Sequence, residues 1–462
     1  MTVIEKLYQA YLLSRRVTTD SRNITPGCIF FAFKGEHFDG NAFAPQALEQ
    51  GAACCVISDA TYKTDERCLV VPDVLKTLQE LAREHRRHLE MPVIGITGTN
   101  GKTTTKELVH AVLAKRYKTS ATKGNFNNHL GVPLTLLSIP EGTELSIVEM
   151  GANHPGEIEF LCGIADPDYG LITNVGRAHL EGFGSFEGVV RTKTELYRHL
   201  AEKQGLVFVN ADNERLMHEA EKLATIPGVR SIIPAYPSNN PAFVPQALEK
   251  TPLSVVTYGR SQDASVRGTF VESNPYLHFY FEVGDNVYNV HTHLLGAYNF
   301  DNCMAAVAVG LYFGVEPWDI KEAIEEYIPT NQRSEYKETS RGNRLYLDCY
   351  NANPSSMEAA ISSFHGMGGT MAIIGGMHEL GKDERKEHKR VVEQLEKCGL
   401  ERVLLVGAEW NKTEKGNGKT DFILFPDTEA VRSWLNANPV SGATILVKGS
   451  NTNRLWTLVE ML

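Results

Sequence analysis

No stretch of this chain approaches the roughly 20 consecutive apolar residues that a membrane-spanning helix needs, so a bilayer-embedded protein is not expected. Met1 to Leu12 lacks the long apolar core and small-residue cleavage site of a secretory leader, and a cytoplasmic location is the expectation. None of the eight cysteines falls in the paired Cys-x-x-Cys spacing of a zinc site. Scattered thiols fit a reducing compartment, and Cys54-Cys55, within the apolar run from Ala52 to Ile57, read as a buried strand. A basic excess is missing too. Lys and Arg number 46 against 56 Asp and Glu, and the resulting net charge of −10 argues against nucleic acid as the main partner. Internal repeats and low-complexity tracts are absent, which excludes a solenoid.

What is present is a globular chain long enough for two or three cores: 462 residues, 42% hydrophobic and 22% charged. Its texture divides into three sections. Residues 1–88 alternate short apolar strands (29–33, 53–57, 69–71) with helical stretches (42–50, 74–88), a small α/β domain. Met91-Pro92 breaks the second of these helices, and an apolar strand, Val93 to Thr97, follows at once. Residues 89–314 repeat strand, turn and helix, with short apolar runs at 145–149, 169–174 and 206–210, the signature of a parallel sheet. A β-rich insert follows, in which 276–283 and 287–293 flank a turn at Gly284-Asp285-Asn286. Residues 315–462 alternate again, with strands at 345–348, 371–374, 403–406 and 445–447, and read as a Rossmann-like doubly wound unit. The fold class expected is therefore α/β in three domains, the central one a P-loop parallel-sheet ATPase domain.

The strongest local signal runs from Val93 to Thr104, V-I-G-I-T-G-T-N-G-K-T-T. A buried strand enters a glycine-bearing turn, and a helix (104–115) leaves it. Gly98 and Gly101 let the backbone N–H groups of Gly98, Thr99, Asn100, Gly101, Lys102, Thr103 and Thr104 converge on phosphate oxygens, with the helix N-terminus adding partial positive charge. Lys102 can reach the β- and γ-phosphates, and the Thr103 hydroxyl can coordinate Mg²⁺. Ile96 stands where the general phosphate-loop pattern has its first glycine. The bland alternative, a glycine-rich connection, does not account for strand, loop, Lys-Thr and helix together. ATP is the ligand expected.

The form G-T-N-G-K-T-T resembles the phosphate loop of the Mur ligases and their folylpolyglutamate synthetase relatives, and the resemblance continues in family order through the chain. Asn125 to Pro133 resembles the segment after the phosphate-loop helix, and 149–158 (E-M-G-A-N-H-P-G-E-I) and 172–184 (I-T-N-V-G-R-A-H-L-E-G-F-G) resemble the members that add D-alanyl-D-alanine. Glu149 and His179 each close a strand, where ligands gather in open α/β sheets. The residues alone leave His179 open between a magnesium ligand and a hydrogen-bonding role, and read Lys193 as a surface ion pair. The resemblance implies that Glu149 and His179 hold Mg²⁺ and that Lys193 carries a carbamate able to bind a second Mg²⁺. It also implies that Asn299 and Asn302, a helical step apart, read the adenine, with Tyr298 replacing the usual histidine before them. In the third section Arg333 matches the arginine that meets the γ-phosphate. Asp348 would face the ribose or phosphates, and Asn351 and Asn353, next to Tyr350 in the run D-C-Y-N-A-N-P-S-S that caps a helix at Ser355, would shape the acceptor pocket. Gly375 to Gly381 (G-G-M-H-E-L-G) resembles a family segment with an acid where this chain has Gly376, and Lys448-Gly449-Ser450 resembles the closing segment, with Asn451 in place of arginine. Near the start, Thr19-Asp20-Ser21-Arg22 and the following 27–40 resemble the UDP-sugar-binding domain. Ser21 and Arg22 would hold the nucleotide end, and Asn127 and Asn128 would meet substrate.

The resemblance thus implies an ATP-dependent carbon–nitrogen ligase, catalysed by Lys102, Lys193, His179 and Arg333, joining D-alanyl-D-alanine to UDP-N-acetylmuramoyl-tripeptide through an acyl phosphate. A monomer is expected, with neither nucleic acid nor membrane insertion. Two other readings remain: a folylpolyglutamate-type ligase, which lacks the first domain and the Asn-Ala-Asn-Pro run, and a nucleotide-gated binding module, against which Glu149, His179 and Lys193 argue.

Overall fold

The computed structural model describes residues 2–224, 253–330, 333–412 and 419–462. Asn331 and Gln332, which precede Arg333 in the expected γ-phosphate segment, lie outside the described residues. The chain forms two compact units, one of Met1–Ile96, Tyr117–Ala152 and Gly156–Gly170, the other of Thr97–Arg116, Asn153–Pro155 and Leu171–Leu462.

In the first unit, strands β1 (Val17–Thr18), β2 (Ile29–Phe31), β3 (Cys54–Ile57) and β4 (Cys68–Val70) make a four-stranded parallel sheet in that order. Its apolar face is period-two: Cys28, Phe30, Ala32, Cys55 and Ile57 pack with Ala44, Ala47 and Leu48 of the helix Ala44–Glu49. Both adjacent cysteines are buried, as expected, and burial raises their thiol pKa values to about 12, so they are unreactive. The same unit holds β5 (Val93–Thr97, up to Ile96), β6 (Thr119–Ala121) and β7 (Leu145–Glu149), parallel in the order β5-β7-β6. Every residue of β5 and β7 is buried, which is why these runs read as continuously apolar.

The second unit holds β8 (Tyr169–Ile172, from Leu171), β9 (Leu206–Asn210), β10 (Ser254–Gly259), β11 (Val266–Ser273), β12 (Tyr276–Val283) and β13 (Asn286–Leu295), neighbours in that order. β11 to β13 are antiparallel, the expected β-rich insert, and Val283 pairs with Asn286, so the hairpin loop is only Gly284-Asp285. The phosphate-loop helix, Lys102–Ala114, starts two residues earlier than its apolar periodicity suggested. It packs on helix Asn299–Tyr312, where Gly310 permits close approach: a Cβ there would stand 2.5 Å from Val112 Cγ1.

The third section supplies β14 (Glu335–Glu338), β15 (Arg344–Asp348), β16 (Met371–Gly375), β17 (Arg402–Val406), β18 (Asp421–Phe425) and β19 (Thr444–Lys448). Their order is β14-β15-β19-β16-β17-β18, parallel except for β14. Both faces are covered. Tyr346, Ala372 and Ile374 face helices Pro354–His365 and Glu384–Lys397, while Leu345, Leu347, Met371 and Ile373 face Val431, Leu435, Leu455 and Leu458. Each large apolar side chain so buried contributes roughly 1.5–3 kcal/mol before entropy is counted. Because β19 returns between β15 and β16, the strand order reverses there, and a crevice is expected at their carboxyl ends.

Candidate active site

The phosphate loop is held from beneath by the end of β8. Thr173 donates from its hydroxyl to Asn100 O at 2.6 Å, and Asn174 brackets Asn100 by accepting from its N–H and donating to its carbonyl, both at 3.0 Å. Thr99 N–H donates to Asn174 O at 2.9 Å, and Thr99 Oγ1 accepts from Gly176 N–H at 2.9 Å. Gly98 and Gly101 adopt φ +144° and +77°; a Cβ on the first would overlap Thr173 Oγ1 and on the second would meet Asn302 Oδ1. Gly101 is the N-cap of helix Lys102–Ala114 and brings no side chain to it, leaving the positive end of that helix at the loop. Lys102 Nζ donates to Gly98 O at 2.8 Å and Thr99 O at 3.0 Å, so its ammonium lies across the loop mouth. Thr103 and Thr104 are buried beside it.

Asn299 and Asn302 are both buried, and their amides meet protein partners. Asn302 donates to Asn299 Oδ1 at 2.8 Å and accepts from the Thr105 hydroxyl at 3.0 Å. Asn299 donates to Leu295 O at 2.7 Å and to Ser334 Oγ at 3.2 Å. In this arrangement the pair fixes the phosphate-loop helix to the start of the third section, a packing role that spacing alone did not reveal. Beside it, Leu295, Gly296, Tyr298, Ser334, Leu347 and Asp348 line a small, solvent-open cleft.

Among the residues expected to hold a metal, Glu149 is buried in the first unit and accepts from Asn127 Nδ2 at 2.8 Å. Neighbouring Asn128 turns its Oδ1 to the N–H groups of Leu130 and Gly131, just before helix Gly131–Leu137. In the second unit, His179 sits in left-handed backbone (φ +49°), and its Nδ1 is bonded to the carboxylate of Glu379, itself at φ +60°. Burial pushes the imidazole pKa below its ordinary value, against the opposing pull of Glu379. Lys193 is buried with its Nζ 5.3 Å from the Phe183 ring centre. No three His, Cys, Asp or Glu side chains converge on one point among the described residues. Within the second unit, the Thr103 hydroxyl and the His179 imidazole suit a Mg²⁺ ion that takes most of its ligands from phosphate and water.

The third section presents its residues along the carboxyl edge of its sheet. The Arg333 guanidinium stacks 3.7 Å over the centre of the Tyr350 ring. Asp348 is paired with Lys448 at 2.6 Å; Lys448 is wholly buried and also donates to Asn351 O at 3.2 Å. Asn353, rather than Ser355, caps helix Pro354–His365, accepting from Ser356 N–H at 2.9 Å, with Pro354 in the first turn. Ser355 instead accepts from Arg177 N–H at 2.7 Å. Asn353 Nδ2 donates to Asn100 Oδ1 at 2.8 Å, joining the acceptor segment to the tip of the phosphate loop. Ser21 and Arg22 lie in a polar turn of the first unit, where Arg22 grips Asp20 at 2.8 and 2.9 Å and holds that carboxyl at a pKa of about 2. Thr173, Asn174 and Glu379 escaped selection from sequence. Each stands inside a recognisable motif, but only tertiary contact distinguishes them from their neighbours.

Three family models match in succession: the Mur ligase family catalytic domain over residues 15–86, the Mur ligase middle domain over 96–230, and the Mur ligase glutamate ligase domain over 332–451. The UDP-N-acetylmuramoyl-tripeptide–D-alanyl-D-alanine ligase of Bacillus subtilis (strain 168) is 35% identical over 403 residues, covering 85% of this chain and 79% of the relative. The chain belongs to the Mur ligase family. The Escherichia coli (strain K12) ligase of the same name is 32% identical, covering 96% of this chain and 93% of the relative. Among solved Mur ligases, a MurF structure from Acinetobacter baumannii superposes with a TM-score of 0.81 at 27% identity, covering 96% of this chain and 93% of that one. MurF from Thermotoga maritima, solved in complex with ADP, gives 0.80 at 26% identity, covering 100% and 98%. Like them, this Mur ligase is an α/β protein of three family domains, and no helix among its described residues is long and apolar enough to cross a membrane.

Proposed function

We propose that this Mur ligase joins D-alanyl-D-alanine to UDP-N-acetylmuramoyl-tripeptide at the expense of ATP, a step of peptidoglycan precursor synthesis. The observation that carries the reading is the 2.8 Å bond between Asn100 and Asn353, which couples a phosphate loop to the Asn-Ala-Asn-Pro segment. A triphosphate bound by the loop would lie beside the segment that receives the second substrate. The names of the relatives supply the substrates.

In this reading residues 1–88 bind the UDP end through Ser21 and Arg22, 89–314 bind ATP, and 315–462 bind the dipeptide through Tyr350, Asn351 and Asn353. The tripeptide's terminal carboxylate attacks the γ-phosphorus and ADP departs. The dipeptide amine, having lost a proton, attacks the acyl carbon, and phosphate leaves as the amide forms. Lys102 and Arg333 offset charge on the phosphoryl oxygens. Thr103, Glu149 and His179 would hold Mg²⁺, and a carbamylated Lys193 a second ion, supplying charge neutralisation at the phosphates. Asn299 and Asn302 stand on the adenine side of the nucleotide, and Asp348 faces its ribose or phosphates. The enzyme works in the cytoplasm as a monomer.

Release of ADP that requires both the UDP-tripeptide and D-alanyl-D-alanine tests the proposal. Lys102→Ala should lower that rate by at least about 10²–10³-fold, the scale of losing one charge-stabilising group. Near-normal turnover in the variant, or ADP release indifferent to the dipeptide, refutes it.

A further inference from the structure

The Arg333 guanidinium is fixed by a ring rather than by an acid. Its Cζ stands 3.7 Å over the centre of the Tyr350 ring, and no carboxylate pairs with it among the described residues. Its Nε is buried with no hydrogen-bond partner among those residues. The difference matters chemically. A carboxylate would neutralise the cation and take up the donors along its edge. A π face holds the plane and leaves both the charge and the edge uncommitted. Such a group suits an oxyanion that offers several acceptor oxygens. Arg333 and Tyr350 are both half-buried, so the pair borders solvent.

Two tethers place this pair at the phosphate loop. On the arginine side, the adjoining Ser334 is buried in left-handed backbone (φ +53°). Its Oγ shares a hydrogen bond with Tyr298 Oη at 2.8 Å and accepts from Asn299 Nδ2 at 3.2 Å. Asn299 bonds Asn302, and Asn302 bonds Thr105 in the helix that leaves the loop. On the tyrosine side, Asn351 O accepts from the buried Lys448 at 3.2 Å, and Asn353 donates to Asn100 at the loop tip at 2.8 Å. The tethers end at Asn100 and Thr105, on either side of Lys102. Ser334 and Asp348, near neighbours of the pair in the chain, also line the open cleft.

We infer that Tyr350 is a positioning residue, whose ring holds Arg333 flat so that the guanidinium presents its edge to the γ-phosphate. This is a task in addition to the acceptor pocket, and it rests on the ligase reading above. The alternative is a ring that only packs the third section, which would matter equally with or without the arginine.

Nucleotide binding and turnover of the full chain separate the two. Tyr350→Leu keeps most of the volume without a π face and should lower kcat about 5- to 30-fold, the range of a partly desolvated cation–π contact. Affinity for β,γ-methylene-ATP should fall with it, while ADP, which lacks the γ-phosphate, binds as it does to the parent. Tyr350→Phe restores the ring and should recover most of the loss. In an Arg333→Ala background, Tyr350→Leu should cost less than about twofold, because nothing is left to position. Equal losses for ADP and the analogue, no recovery in Tyr350→Phe, or the same cost in both backgrounds overturns the inference. Tyr350→Met takes over the comparison if melting curves show the Tyr350→Leu chain unfolded. Failure of the parent to release ADP when given both substrates would instead overturn the ligase reading, while the contrast between the two nucleotides would still judge the stack.

Discussion

Replacing Gly101 with alanine tests whether the shape of the phosphate loop, beyond its charge, holds the nucleotide. Gly101 lies at φ +77° and ψ −3°, a left-handed backbone that costs an L side chain about 1–2 kcal/mol. Its new methyl would stand 2.5 Å from Asn302 Oδ1 and 3.1 Å from Cγ and Nδ2. Asn302 is 6% exposed and cannot withdraw without disturbing its bonds to Thr105 and Asn299. Two buried hydrogen bonds at about 1 kcal/mol each bring the total to about 3–4 kcal/mol. If the loop yields rather than the helix, ADP affinity falls by about 100- to 1,000-fold. Isothermal titration with ADP and Mg²⁺ measures this, and melting temperature shows whether the helix has moved instead. In an Asn302→Ala background the obstruction is gone, so the same substitution should cost only the backbone term, about 5- to 30-fold. The reasoning fails if Gly101→Ala binds ADP within about threefold of the parent, under 1 kcal/mol, or if the loss is equal in both backgrounds.

Two further perturbations probe groups that packing has committed. Asp348→Ala strands the ammonium of Lys448, whose side chain is 0% exposed, and should destabilise the third section by about 3–5 kcal/mol; adding Lys448→Met should restore most of it. Tryptophan fluorescence reports the transition, since Trp410, Trp434 and Trp456 lie in that section, and a double variant as weak as the single one would contradict the argument. In the first unit, burial and the neighbouring Arg15 and His88 lower the His85 pKa from 6.5 to about 4. The folded state therefore keeps the ring neutral while the unfolded chain takes up a proton, so stability is complete above pH 6.5 and is lost as pH falls toward 4. The gap corresponds to roughly 3 kcal/mol at most. Melting curves from pH 7 to 4 should steepen for the parent relative to His85→Gln, and identical slopes would refute the assignment.

The elements that sequence exposed are those whose pattern is local. β5, β7, β9 and β16 are buried on both faces, and continuous apolar runs between glycine-bearing turns announce that directly. β14, with the sequence Glu335-Tyr336-Lys337-Glu338, is an antiparallel edge strand with no fully buried residue. It carries no apolar signature, and only pairing with β15 makes it a strand. Likewise Ser355 looked like a helix cap because serine favours that position, but Pro354 needs the first turn and Asn353 takes the cap, freeing Ser355 for Arg177 N–H.

The same distinction governs the site. The phosphate loop is contiguous, so its glycines, lysine and threonines could be read from one segment. The groups that hold it in shape are not contiguous: Thr173 and Asn174 come from the end of β8, and Asn302 from a helix 197 positions beyond the Thr105 it bonds. A carbonyl such as Asn100 O needs two donors at a set distance, and any strand end of suitable polarity could have supplied them. The substitution at 376 makes the point more sharply. Along the chain, Gly376 is a missing acid; in space, it is the opening that admits one from position 409. A position that lacks a side chain along the chain can therefore be filled in space by another residue, provided it stays a glycine. The requirement is steric and reciprocal, because a side chain at 376 and the carboxylate of Glu409 cannot fill the same volume.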